Sequence, residues 1–404
     1  MAPVDQKWLA VVGIGENGIA GLGDDAKQAI AQAEHVFGGA RHLELAAELI
    51  RGASYPWKSP FSVDPVIALR GHKVCVLASG DPFLFGVGAT LARHMAVDEM
   101  LVLPSPSAFS LAASRLGWPL QNADCVSLHG RSEDLLRPYL HPGRRILALT
   151  SDGGAPQLVA ELLAKNGFGG SRLTVLEAIG GPNERLRRTT AQNFEIENIN
   201  PLNVLAIEVE SEPQARILPL AAGMPDGLFD NDGQLTKREI RAITLSSLAP
   251  CGGQLLWDIG AGSGSISIEW MLARASLKAI AIEVDPVRAA RARLNAIACG
   301  VPGLVVKDGA APQALEGLPA PDAIFIGGGG SEAGVMDAAI AALKPGGRLV
   351  ANAVTLEMEA LLLKLHQDLG GDLLRLAVSR AEPVGAMQGW RAAMPVTQWI
   401  WVKT

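Results

Sequence analysis

The chain has 404 residues, of which 49% are hydrophobic, and a net charge of −6 at pH 7. That length suits two to three domains of roughly 150 residues each, and the acidic balance excludes broad attraction to nucleic acid or anionic lipid. Four scattered cysteines (Cys75, Cys125, Cys251, Cys299) and seven scattered histidines show neither a disulfide framework nor metal-ligand spacing, so no metal is expected.

In chain order, Trp8–Ile14 reads as a strand rather than a leader, being short and followed by Gly15-Glu16 with no cleavage-site pattern. Its end carries a Gly-x-Gly-x-x-Gly spacing at Gly13, Gly15 and Gly18. Glu34 precedes His35-Val36-Phe37 instead of closing a strand, which counts against a nicotinamide site. Val74–Ala78 is a second buried strand, opening into Ser79-Gly80-Asp81-Pro82 and then an apolar helix from Phe83 to Leu91. Pro104–Ser110 forms a third loop of small residues that enters the helix Ser110–Leu116. After an apolar strand, Leu202–Val209, the Pro213, Pro219 and Pro225 stretch marks a linker over 211–232. The chain therefore reads as two α/β domains, 1–210 and 233–404. No segment approaches the ~20 apolar residues of a membrane helix, and a soluble, cytoplasmic protein is expected.

Thr236-x-x-Glu239 reads as a capping box opening the helix Ile240–Leu248. Lys237 and Arg238 there are candidates to meet substrate carboxylates. The strongest signal follows: Trp257-Asp258-Ile259-Gly260-Ala261-Gly262-Ser263-Gly264-Ser265, then Ala281-Ile282-Glu283-Val284-Asp285. It reads as a strand, a glycine turn, a helix start and a second strand ending in an acid. Alternating glycines let the backbone approach a ligand without a Cβ in the way. Glu283 stands where an acid accepts ribose hydroxyls. Ser265 occupies the place of a dinucleotide fingerprint's last glycine, which favours S-adenosylmethionine (SAM) over a nicotinamide cofactor. Further strands are expected at Leu304–Lys307, Ala323–Ile326 and Arg348–Val354. Ligands in such sheets sit beyond the carboxyl ends of the strands. The cofactor candidates of this half are thus Asp258, Gly260, Ala261, Gly262, Gly264, Glu283, Asp308, Gly327 and Gly328.

The three N-terminal loops together resemble the tetrapyrrole (class III) methyltransferase family. Its glycine-rich first loop corresponds to Gly13 and Gly15, and its Ser/Gly-Gly-Asp-Pro turn to Ser79, Gly80, Asp81 and Pro82. Its Pro-Gly-x-Ser-Ser loop keeps Ser107, with Ser105 for the glycine and Ala108 for the second serine. Ser127–Arg131 and Leu176–Arg185 add to this likeness. The C-terminal half is similar to decarboxylating corrinoid-precursor methyltransferases through Gly223–Phe229, Thr236–Arg241 and Trp257-Asp258. The order of the halves resembles the fused methyltransferases of cobalamin biosynthesis. That resemblance implies a tetrapyrrole-methyltransferase-type α/β half followed by a Rossmann-like SAM-dependent half, and a homo-oligomer. It implies SAM contacts at Gly13, Gly15, Ser79, Gly80, Asp81, Pro82 and Ser107. It also implies two methylations and one decarboxylation of a reduced tetrapyrrole: carbon 5 by the first half, carbon 15 with loss of CO2 by the second. No catalytic residue is assigned. Two alternatives stay open. One is an RNA or protein methyltransferase, against which stand the acidic balance and the lack of an Asn/Asp-Pro-Pro-Tyr-type motif. The other is a silent tetrapyrrole-binding first half, suggested by Ser105 and Ala108. A dehydrogenase is disfavoured by Ser265.

Overall fold

Residues 7–404 are described in the structure, a computed structural model. They form two compact units: residues up to Glu133 with His141–Arg216, and Asp134–Leu140 with Ile217–Thr404.

The first unit holds two five-stranded sheets. Strands β1 (Leu9–Ile14), β2 (His35–Gly38), β3 (Ala53–Pro56), β4 (Val74–Ser79) and β5 (Met100–Leu103) are all parallel, in the order β3-β2-β4-β1-β5. Alternate side chains go to opposite faces. Leu9, Val11, Val74 and Val76 thus enter one core cluster, and Val12, Ile14, Cys75 and Leu77 another. A sheet buried on both faces needs continuous apolar strands, and β1 and β4 supply them. The second sheet, β6 (Ala123–Ser127), β7 (Arg145–Leu149), β8 (Arg172–Glu177), β9 (Arg185–Thr190) and β10 (Asn203–Glu208), is ordered β6-β7-β10-β8-β9. Only its β6–β7 pair is parallel. The helix expected from Phe83 begins instead at Val87. Phe85 takes a left-handed φ of 56°, which no helix propagates through.

The second unit is a seven-stranded sheet, ordered β13-β12-β11-β14-β15-β19-β16. Its strands are β11 (Leu255–Ile259), β12 (Lys278–Glu283), β13 (Val305–Asp308), β14 (Ala323–Ile326), β15 (Arg348–Ala353), β16 (Asp372–Leu376) and β19 (Val396–Val402). The hairpin β17 (Ser379–Val384) and β18 (Met387–Ala392) pairs only with itself. The first five strands are parallel and β19 runs against both neighbours. Strand order reverses at β11, so a crevice opens at the carboxyl ends of β11 and β14. Leu256, Ala281, Phe325 and Val350 face one core, and Trp257, Ile282, Ile324 and Leu349 the other.

Two expectations change here. A few residues of the stretch read as a linker join the core: Leu218, Met224 and Phe229 are buried in the second unit. The capping box is not formed. The helix runs Arg238–Leu248 with Lys237 at its N-cap and no side-chain capping bond. The Thr236 carbonyl instead accepts from Arg241, and Glu239 pairs with Arg380.

Arg241 and Glu269, both buried, explain the packing of 223–229. Arg241 Nε donates to Glu269 Oε1, and its other nitrogens donate to the carbonyls of Met224 and Thr236. Glu269 accepts from the backbone N–H groups of Gly223 (2.6 Å) and Met224 (3.0 Å). The Arg241 guanidinium lies 4.8 Å over the Phe229 ring. Removing one member of a buried pair strands the other charge, at a cost of about 3–5 kcal/mol. Arg241→Met is expected to destabilise the second unit by that amount in urea unfolding followed by tryptophan fluorescence. A loss under about 1 kcal/mol would show that the pair behaves as a surface bridge instead.

Candidate functional site

The glycine turn after β11 and the acid ending β12 meet as one construction. Gly260, Gly262 and Gly264 have φ of 72°, 57° and 77°, a region that side chains with a Cβ rarely enter. At Gly260 space is also decisive, since a Cβ would stand 2.5 Å from the Gly328 carbonyl oxygen. The buried Glu283 carboxylate accepts from Gly262 N at 2.7 Å through Oε2 and from Asp285 N at 3.0 Å through Oε1. Each oxygen has a second lone pair to offer. Asn295, also buried, donates to the Ser263 carbonyl (2.9 Å) and ties the turn to Asp230.

These loops border a cleft of about 1290 Å³. Gly260, Ala261, Gly262, Glu283, Gly327, Gly328 and Lys237, all candidates from the sequence, line it. Gly264 lies behind it as the N-cap of the helix Ser265–Ala273, packed on Ala292. Asp308, though level with Glu283 in the β12–β13 register, is not among the lining residues and pairs with Arg293 at 2.9 Å. Arg238 is exposed outside the lining. Sequence reasoning missed Arg288, Arg380, Glu382 and Arg391, which do line the cleft.

Asp258 also lies outside that lining. It is fully buried, and its Oδ2 accepts from Ser267 N (3.1 Å) and Ser267 Oγ (2.7 Å), fastening the helix after the glycine turn. Its Oδ1 has no partner among the described residues. Burial pushes the carboxyl up to about 6; the Ser267 bonds oppose that rise and the Glu283 charge adds to it.

In the first unit the ends of β1 and β4 and the Pro104–Ser107 loop converge on one point. A Cβ on Gly13 would overlap the Gly80 carbonyl oxygen and lie 2.7 Å from Ser105 N. Ser105 closes the contact by donating its hydroxyl to the Gly13 carbonyl (2.7 Å) and its N–H to the Gly80 carbonyl (3.1 Å). Serine thus does structural work where the family pattern has glycine. Ser107 caps the helix Ala108–Leu116 by accepting from Ser110 N at 3.1 Å. Asp81 accepts from Phe83 N (2.9 Å), and Gly88 N donates to the Pro82 carbonyl (2.9 Å), so both residues shape the turn. The Gly15 carbonyl accepts from Gly18 N. Ser79 Oγ lies 2.9 Å from Nε2 of His42, a residue no local pattern marks; burial and Arg41 lower that imidazole's pKa. Glu34, His35 and His72 also come together, at the opposite ends of these strands, with their ligand atoms within 4.8 Å of one another. Glu34 and His72 are exposed and bonded to each other.

Comparison with known proteins accounts for both halves. Residues 9–195 match the family model for tetrapyrrole (corrin/porphyrin) methylases, and 227–403 the model for the precorrin methyltransferase domain. A Sinorhizobium precorrin-6Y C(5,15)-methyltransferase (decarboxylating) is 64% identical over 98% of this chain and 96% of its own. The chain belongs to the decarboxylating precorrin-6Y C(5,15)-methyltransferase family. Two shorter relatives each correspond to less than half of it. A probable cobalt-precorrin-6B C(15)-methyltransferase (decarboxylating) of Pyrobaculum calidifontis is 34% identical over 43% of this chain and 92% of its own. A cobalt-precorrin-7 C(5)-methyltransferase of Salmonella typhimurium is 28% identical over 44% of this chain and 88% of its own.

In this family member, Asp258 gives a pH signature. Its folded pKa, about 6, lies above the ordinary carboxylate value of 3.8. Its stability contribution is therefore most favourable below about pH 4 and declines as pH rises to about 6, by about 3 kcal/mol in all. Asp258→Asn keeps an acceptor for Ser267 and removes the titration. Unfolding at pH 4 and pH 7 should show the variant gaining on the parent by up to that amount at the higher pH. A constant difference would place the charge elsewhere.

Proposed function

We propose that the chain methylates precorrin-6Y at carbons 5 and 15 with SAM as donor and decarboxylates its ring C acetate. The full-length identity to a relative named for this activity carries the reading. Shorter relatives named separately for a C(15) decarboxylating and a C(5) methylation support a division of labour. In it the first half acts at carbon 5, and the second at carbon 15 with loss of CO2. The acidic balance supports a small-molecule substrate over nucleic acid. The described residues contain no helix long and apolar enough to cross a membrane, which agrees with the cytoplasmic setting we infer.

The residues of the second cleft suit SAM. A glycine turn with positive φ at Gly260 and Gly262 and no room for a Cβ at Gly260, beside an acid held by two N–H groups, is a cradle for a nucleoside. Glu283 would take the ribose hydroxyls, Gly260, Ala261 and Gly262 the amino-acid part, and Gly327 and Gly328 the side facing substrate. In the first half, the Gly13–Gly80–Ser105 convergence, with Asp81, Pro82 and Ser107 beside it, is the corresponding backbone cradle. SAM supplies an electrophilic methyl group. The protein's part is to align the nucleophilic ring carbon with it and to exclude water. The enamine-like meso carbons need no strong base. Loss of CO2 can use the macrocycle as electron sink once a neighbouring ring position is protonated.

The decisive experiment is product mass spectrometry after incubating the full chain with SAM and precorrin-6Y. Two added methyl groups with one CO2 lost is the expected result. One methyl with decarboxylation would favour a silent first half, and an unchanged tetrapyrrole would refute the reading. Titration calorimetry should count two SAM per chain. Glu283→Ala is expected to weaken one of them at least tenfold, the scale of about 1.5–3 kcal/mol for hydrogen bonds to a charged group, leaving the other intact.

A further inference from the structure

We infer that Arg380 and Arg391 form a carboxylate-binding subsite over the second cleft, and that it takes an acid side chain of the tetrapyrrole. The inference rests on the function proposed above and identifies a substrate-holding part of the same site.

The hairpin places the two arginines. Pairing of β17 with β18 sets Arg380 directly opposite Arg391 and Glu382 opposite Gly389. Directly opposed residues share a face, with Cβ atoms about 4.5–5.5 Å apart. Val378, Arg380, Glu382, Arg391 and Ala393 follow that period of two and line the cleft, joined at the base of the hairpin by Ala392 and Met394. Trp390, one residue out of phase, belongs to the other face and is 80% exposed. The hairpin therefore presents its charged side to the cavity.

Like charges directly opposed weaken a strand pair, and a two-stranded hairpin has little core to offset this. Each arginine has one glutamate for company. Arg380 Nη2 donates to Glu239, on the helix Arg238–Leu248, and Arg391 Nη1 donates to Glu382 at 3.0 Å. Neither bond is two-pronged, so most of the five N–H donors of each fork are left for a further anion. Arg288, another lining cation, has its Nε committed to Asp232 at 2.8 Å. Paired guanidinium forks match the planar geometry of a carboxylate better than any other side chain. A carboxylate between them adds a negative charge that both forks can share through donors their glutamates leave unused. A tetrapyrrole rimmed with acid groups supplies that anion, while Ile240, Phe325 and Val396 offer apolar lining for its ring.

The test is equilibrium binding of uroporphyrin, a stable polycarboxylated tetrapyrrole, to the full chain, followed by absorbance and filtration. Arg380→Gln and Arg391→Gln should each weaken one class of bound porphyrin about tenfold or more. The double variant should lose it at concentrations that saturate the parent, while both SAM sites keep their affinity. Trp390→Gln, on the outer face, should bind as the parent does. Glu239→Gln separates recognition from architecture: it breaks the same bridge as Arg380→Gln but leaves the cation. Binding should be kept or tightened, whereas a purely structural bridge predicts that both variants fail alike. Unchanged stoichiometry and affinity in the double variant, or no porphyrin binding by the parent, overturns the subsite. The product masses judge the proposed function separately.

Discussion

The buried Arg241–Glu269 pair ties together the walls of the second cleft. Arg241 lies on the helix whose N-cap and first turn carry Lys237, Glu239 and Ile240 into the lining, and Glu269 on the helix that begins at the glycine turn. Between them, the backbone of Gly223 and Met224 is captured by the glutamate and the Met224 carbonyl by the arginine. A buried ion pair is weak evidence of net stability, because desolvation offsets most of its attraction. What it supplies here is geometry. A hydrophobic replacement could fill the volume, but could not also terminate the polar backbone groups of 223–224.

The cleft also shows how environment divides the work of two carboxyl groups on adjacent strands. Glu283 ends its strand at a turn where backbone N–H groups converge, and each of its oxygens meets one. Asp258 lies one strand over and faces inward, with Ser267 serving a single oxygen, and burial raises its pKa to about 6. The same chemical group is thus a cleft-lining anchor of the turn in one place and an internal fastener in the other. Sequence spacing alone treats them as equivalent neighbours of the glycine turn.

That equivalence shows where sequence reasoning succeeds and where it stops. The turn, its acid and the parallel strands are encoded locally, by glycine spacing and by apolar runs of strand length, and they appear where expected. Side-chain direction at the helix start Lys237-Arg238 depends on packing, so one cation reaches the cleft and its neighbour does not. Asp308 is held by Arg293 of the preceding helix, Pro286–Ala298, a partner no local pattern announces. The hairpin escapes detection because its period-two pattern is written in charged residues rather than apolar ones. His42 reaches Ser79 across 37 positions of sequence, and only the fold brings them together.

The two halves build their glycine loops in different ways, and the difference has consequences for what each tolerates. In the second half the turn is open, and its exposed N–H group is answered by a side chain, Glu283; the glycines are needed for their positive φ and for the passage of Gly328. In the first half, the strand ends are pressed directly on one another. Gly13 meets the Gly80 carbonyl with no side chain between, and Ser105 bonds to both. A side-chain anchor can be altered while the loop keeps its path, so function there can be lost with the fold intact. A backbone-to-backbone contact cannot be altered without moving β1 away from β4, which share six residues of register. In this chain, therefore, the serine at 105 does not mark a decayed loop. Its hydroxyl satisfies the Gly13 carbonyl that the close approach would otherwise leave buried, an unpaired group that costs about 1–3 kcal/mol. The departure from the family's glycine is a compensation that keeps this close approach of β1 and β4 closed.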